Sequence, residues 1–166
     1  CISILESLFE QNTMNHSIFK NVYVSVYNRA VKPDKEGKKL LIDILTSDFF
    51  EAQTSAYRNT NFSTREEQLT FKKRKLWSFT ASGLFVKGSR KSESLEKHSG
   101  FIAIDIDFAQ NRYSATSIRD SLAKMPQVAY SGLSVSGSGV WCLIRIAHPE
   151  KHKAHFEALK SDFLKR

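Results

Sequence analysis

The sequence predicts an α+β domain: a mixed or antiparallel sheet backed by helices, with an α/β extension at its N-terminal end. Three observations carry that expectation. From residue 100 the apolar pattern runs strand, helix, strand, strand, helix, the order of a helix-backed sheet. Of the 166 residues, 41% are apolar and 25% charged, which is ordinary for one globular domain. Twelve Phe, five Tyr and two Trp supply core bulk that a disordered chain lacks. No run approaches the roughly 18 apolar residues of a membrane span, so no membrane partner is expected.

Each element has a local reason. Val22 to Tyr27 is rich in β-formers and reads as a strand. Lys32-Pro33-Asp34-Lys35-Glu36-Gly37 reads as a turn. Residues 38–51 place Leu41, Ile44 and Leu45 at helical spacing. Thr64 caps a second helix through Lys75, with Glu66 and Glu67 suiting the dipole of its first turn. Ala81-Ser82-Gly83 turns into a short strand, Leu84 to Val86. Phe101 to Asp107 is a strongly apolar strand. Ser114 or Thr116 opens a helix with Ile118, Leu122 and Met125 on one face, ending before Pro126. Val128 to Tyr130 and Val140 to Ile146 are strands on either side of a Ser/Gly loop. Pro149 suits the first position of a last helix, in which Phe156, Leu159 and Phe163 share a face. No linker divides the chain, so residues 1–166 read as one domain, with 1–69 as the extension and 70–166 as the core.

Charge narrows the partners. The chain carries 25 Lys and Arg against 17 Asp and Glu, a net +8. Residues 65–98 hold nine basic and four acidic side chains, and residues 145–166 six and three. A surplus gathered in two segments is the form an anion-binding surface takes. Lys72, Lys73, Arg74, Lys75, Lys87, Arg90 and Lys91 are the candidate nucleic-acid contacts, with a merely solvated helix face as the ordinary alternative. Trp77 and Phe79 follow this run and either stack on bases or pack in the core. Two cysteines, Cys1 and Cys142, exclude a disulfide framework, and a reducing cytoplasm is the expected setting. Cys142, inside an apolar strand, reads as an inert core residue. A chain opening on Cys1, with no signal pattern, reads as a fragment or a chain with leading residues before it.

Two motifs carry candidate chemistry. Asp105 and Asp107 lie two apart on a strand and therefore face the same way, about 7 Å apart. Two carboxylates so placed repel unless a cation or donors lie between them, and Mg²⁺ or Mn²⁺ favours such hard oxygen ligands. Acids at a strand end also cap turns or pair with Arg and Lys. The second motif is Ser134-Val135-Ser136-Gly137-Ser138-Gly139, whose glycines and hydroxyls suit a phosphate but equally suit a hairpin turn. Arg145, on the next strand, could neutralise that phosphate or pair at the surface. The histidines show no zinc spacing with Cys and read as surface or cap residues, with His98 the one placed to touch substrate.

Together the motifs resemble the N-terminal domain of the virulence-associated protein E (VirE) family, which is similar to the archaeo-eukaryotic primase and primase-polymerase superfamily. The stretches that carry the resemblance are Leu76 to Phe85, His98 to Asp107 and Tyr130 to Ile146. It implies an RRM-like sheet with catalytic metal ligands at Asp105 and Asp107 and nucleotide-phosphate contacts at Ser134, Ser136, Gly137 and Gly139. It also implies two Mg²⁺ or Mn²⁺ ions, an incoming nucleoside triphosphate, single-stranded DNA or a primer–template, and a possible helicase domain in the parent protein. The implied function is a nucleotidyltransferase of a bacterial or mobile-element replication protein. Two departures stand against it. Trp141 replaces the His that many primase-polymerases place after the Gly-x-Gly, and no third acidic ligand follows before Arg166, as in a fragment that stops short of it. The rival expectation is a non-catalytic module of the same fold that binds single-stranded nucleic acid or another protein.

Overall fold

The structure, a computed structural model, describes residues 15–31, 36–106 and 113–164. Within them β-rich runs and capped helices assemble the expected α+β architecture, with three small antiparallel sheets and five α-helices. Strands β1 (Tyr23–Tyr27), β2 (Glu36–Leu40) and β3 (Ser78–Phe79) form the first sheet, with β1 central. Helices α1 (Leu41–Thr46), α2 (Glu51–Arg58) and α3 (Arg65–Lys75) lie between β2 and β3 in the chain. Strands β4 (Gly83–Phe85) and β5 (Leu95–His98) make a ribbon. Gly83 is required there, because its φ is +144° and a Cβ would lie 2.0 Å from the Lys97 carbonyl oxygen.

The third sheet is ordered β6-β8-β7, from β6 (Phe101–Ile106), β7 (Val128–Leu133) and β8 (Val140–Arg145). Because β8 runs antiparallel to both neighbours, β6 and β7 are parallel to each other. They are joined through α4 (Ala115–Ala123), which makes a split β-α-β unit. Among the described residues this sheet has three strands, one fewer than an RRM sheet. A 3₁₀ turn at Pro149–Lys151 leads into α5 (His152–Leu164).

Local chemistry explains the boundaries. The Thr64 hydroxyl accepts from the Glu67 N–H at 3.1 Å, while the Glu67 carboxylate accepts from the Ser63 N–H at 2.9 Å, a reciprocal cap close to a capping box. Ser114 caps α4 by accepting from the Ser117 N–H at 3.1 Å. The helix expected over 38–51 does not form as one piece. Lys38 to Leu40 pair with β1 instead, and so do Glu36 and Gly37, which the sequence assigns to a turn. Ser47 is extended and accepts from the Phe49 N–H at 3.3 Å, which separates α1 from α2. The rest of the expected turn, 32–35, lies outside the described residues.

Two apolar clusters hold the third sheet between them. On one side Ile102, Ile104, Val140, Cys142 and Ile144 pack with Leu122 of α4, and Leu159 of α5 joins them. Phe156, expected on the same helix face, is 36% exposed. The side chain of Phe163 lies outside the described residues. On the other side Phe101 and Leu143 pack against Phe19, Val24, Val26, Leu41 and Ile44. The Phe19 and Phe101 rings stack at 4.9 Å, so residues before 69 complete the core of those after it.

Candidate functional site

Strand alternation builds the site. Phe101, Ala103 and Asp105 share one face of β6: Phe101 is buried, Ala103 and Asp105 are exposed. Trp141 of β8 stands opposite Asp105 in the register, and Gly132 of β7 stands opposite Trp141. Gly132 leaves room for an aromatic neighbour, since a Cβ there would lie 2.7 Å from the Tyr130 hydroxyl. The Tyr130 ring reaches within 4.9 Å of Trp141, and Phe79 approaches Trp141 from the first sheet at 5.9 Å. Burial holds the Tyr130 phenol above its ordinary pKa range, against the opposing pull of Arg119. These groups wall a cleft of about 620 Å³, lined also by Phe50, Trp77 and Arg58. Trp77 and Phe79 therefore pack on the core and face the cleft at once. The Trp77 N–H is held by the Gln53 side-chain oxygen of α2.

The Ser/Gly loop stands at the cleft and is a hairpin closed on itself. The Ser134 N–H donates to the Gly139 carbonyl at 2.8 Å, and the Gly137 N–H donates to the Ser134 carbonyl at 2.8 Å. Gly137 has a φ of +74°, a value glycine adopts without strain. The hydroxyls of Ser134, Ser136 and Ser138 bond to one another at 3.0 and 2.8 Å, and Ser134 Oγ also accepts from the Gly139 N–H. Arg58, from the end of α2, donates to the carbonyls of Val135 at 3.0 Å and Ser134 at 3.3 Å. This residue carries no local signature, and only the tertiary fold reveals it.

Other expected residues are distributed unevenly. Arg145 does not join the loop, because it ends β8 opposite Phe101, about 17 Å of strand away from Val140. Within the basic segment 65–98, the Lys72–Lys75 and Lys87–Lys91 stretches both contact the segment around Ala30. The Lys73 carbonyl accepts from the Ala30 and Val31 N–H groups, and Arg90 donates to the Ala30 carbonyl at 2.8 Å. Arg90 also lies over the Tyr27 ring at 4.3 Å, and Lys72 over the Tyr57 ring at 5.3 Å. Arg74, Lys75 and Lys91 are exposed. Lys87 is exposed too and lines a separate groove with Tyr27, Glu36 and Lys38.

His98 is not a cleft residue. Its Nδ1 accepts from the Gly100 N–H at 2.9 Å, so its Nε2 carries the proton that meets His152 Nδ1 at 2.8 Å. Burial, then the neighbouring histidine, holds both imidazoles below their ordinary pKa; the neighbour is His152 for His98 and His155 for His152. Cys142 is buried and its thiol is pushed up to about 11, as expected of an inert core residue.

Metal ligation meets a limit. Asp107 lies outside the described residues. Among the described residues no group of three or more His, Cys, Asp or Glu side chains is placed to hold a metal ion.

A family model for the BT4734-like N-terminal domain matches residues 71–162, more than half of the chain. The chain belongs to that family. No curated protein matches it, and no solved structure does. The family match overturns the resemblance to the VirE N-terminal domain and the primase superfamily: the Asp-x-Asp and Ser/Gly motifs are short, and each fits a plain strand end or hairpin as well. The part matched to the BT4734-like N-terminal domain includes β6, β7, β8 and the cleft residues Asp105, Tyr130 and Trp141. Arg58 and Phe50 precede it, so the cleft draws on both parts of the chain.

Proposed function

We propose that the cleft binds nucleic acid, seating a base of single-stranded DNA or of a nucleoside triphosphate against its aromatic wall. One observation carries this reading: the basic end of α3 runs directly into the aromatic cleft. Lys75 ends the helix, and Leu76, Trp77, Ser78 and Phe79 follow as lining residues. Cations that track a phosphodiester backbone, followed by rings on which bases stack, are what sequence-tolerant single-strand binding requires. The cytoplasm is the compartment that supplies such ligands and keeps Cys142 reduced. The test is fluorescence-anisotropy titration of a labelled ten-residue oligothymidylate at low salt. Micromolar binding that weakens steeply as salt rises supports the reading; no binding at low salt removes it.

A second reading, metal-dependent nucleotidyl transfer, draws support from the exposed position of Asp105 on the cleft wall. Mg²⁺ or Mn²⁺ would supply charge neutralisation at transferring phosphates, and Asp105 with Asp107 would be the carboxylates toward it. Primer extension in Mn²⁺ by the wild type, abolished in the double variant Asp105→Ala with Asp107→Ala, supports transfer. Oligonucleotide binding indifferent to Mn²⁺ and to nucleotide leaves a binding module.

A further inference from the structure

We infer that Arg58 is the phosphate ligand of the cleft and that the Ser/Gly hairpin serves to hold its guanidinium in place. This deepens the nucleotide-binding reading and rests on it. A guanidinium has two edges able to make paired hydrogen bonds. In Arg58 the side edge is used: Nε donates to the Val135 carbonyl at 3.0 Å and Nη2 to the Ser134 carbonyl at 3.3 Å. Among the described residues, no protein acceptor within hydrogen-bond distance engages the end edge, Nη1 with the second hydrogen of Nη2. Arg58 is exposed and lines the same cleft as Asp105, Tyr130 and Trp141.

The loop is shaped around this side chain. A Cβ added at Gly137 would stand 3.7 Å from Nη2 and 3.9 Å from Cζ and Nε, so the hairpin backbone lies close against the guanidinium. The loop hydroxyls are turned to one another and to the Gly139 N–H, which leaves the phosphate-binding role to the cation. A fork fixed along one edge offers the other as a preorganised, bidentate phosphate site, a geometry that a lysine cannot reproduce. The phosphate comes either from a nucleoside triphosphate or from the phosphodiester of a single strand, and the two sources separate by experiment.

Isothermal titration of wild type, Arg58→Lys and Arg58→Gln with tripolyphosphate, ATP, adenosine and oligothymidylate tests the assignment. Arg58→Lys keeps the charge and is expected to weaken tripolyphosphate and ATP about tenfold, while adenosine affinity is unchanged. The Gly137 and Gly139 amide resonances report whether the hairpin persists in each variant. A loss for ATP alone names the triphosphate as the source, and a loss for oligothymidylate alone names the strand. ATP, tripolyphosphate and oligothymidylate bound equally by wild type and both variants overturns the role of Arg58 and leaves the cleft reading standing. Tripolyphosphate bound through Arg58, with no preference for ATP or oligothymidylate, keeps the phosphate site and removes the base-binding reading.

Discussion

The two faces of the β6-β8-β7 sheet are made by the same strands and end differently. Towards α4 and α5, Ile102, Ile104, Val140, Cys142 and Ile144 are all buried among aliphatic neighbours. On the opposite face, Phe101 and Leu143 are equally buried, but Trp141, next along β8, and Asp105, beyond the exposed Ala103 on β6, line an open cleft. One alternation therefore encodes two tasks. The even-numbered residues of β6 and β8 carry stability along the whole strand, whereas the odd-numbered ones pass from core to site within a few residues.

Substitutions on the two faces should separate these tasks, and the largest effect belongs to the closed face. Ile102→Ala empties a position only 1% exposed and should cost about 2–5 kcal/mol in urea unfolding, with oligonucleotide affinity kept while the protein stays folded. On the open face, Trp141→Leu retains apolar bulk but removes the stacking surface. It should weaken oligothymidylate binding by roughly 1–3 kcal/mol, read by anisotropy, with a smaller change in unfolding midpoint. An unfolding loss without an affinity loss would place Trp141 with the core. Next, Lys73→Gln together with Lys75→Gln should lower the slope of log affinity against log salt by about 0.7 for each phosphate contact removed, independent of base sequence.

The smallest effect lies away from the cleft, in the His98–His152 pair that joins β5 to α5. Folding favours both neutral imidazoles, so the unfolded chain takes up protons first. Their contribution is complete above the unfolded value of about 6.5 and is lost as pH falls through it towards the lowered folded values. Urea midpoints from pH 7.5 to 5 should decline, and His98→Asn should flatten that decline. A midpoint independent of pH would show that the pair does not couple to folding.

What was legible in the sequence follows from how local its physics is. The cap at Thr64 was readable, and Ser114 was one of two candidates with Thr116, because a hydroxyl and an N–H three residues on decide them. The apolar run of β6 and the strand–helix order after residue 100 were readable for the same reason. Lys38 to Leu40 were misread because pairing with β1, a tertiary contact, overrides helical spacing. Arg145 is near the loop in sequence, yet an extended strand carries it away. Arg58 and the His98–His152 contact were illegible, since each joins residues more than 50 positions apart. The motif pair, being short, pointed to a different family from the one the chain belongs to.

Amide chemical-shift mapping during oligothymidylate titration at low salt decides whether the aromatic cleft receives the nucleic acid. Shifts are expected at Arg58, Trp77, Asp105, Tyr130, Trp141 and residues 134–139, with Ile102 and Ile144 unmoved on the closed face. Shifts confined to surfaces away from that cleft, or none at all, would contradict cleft binding.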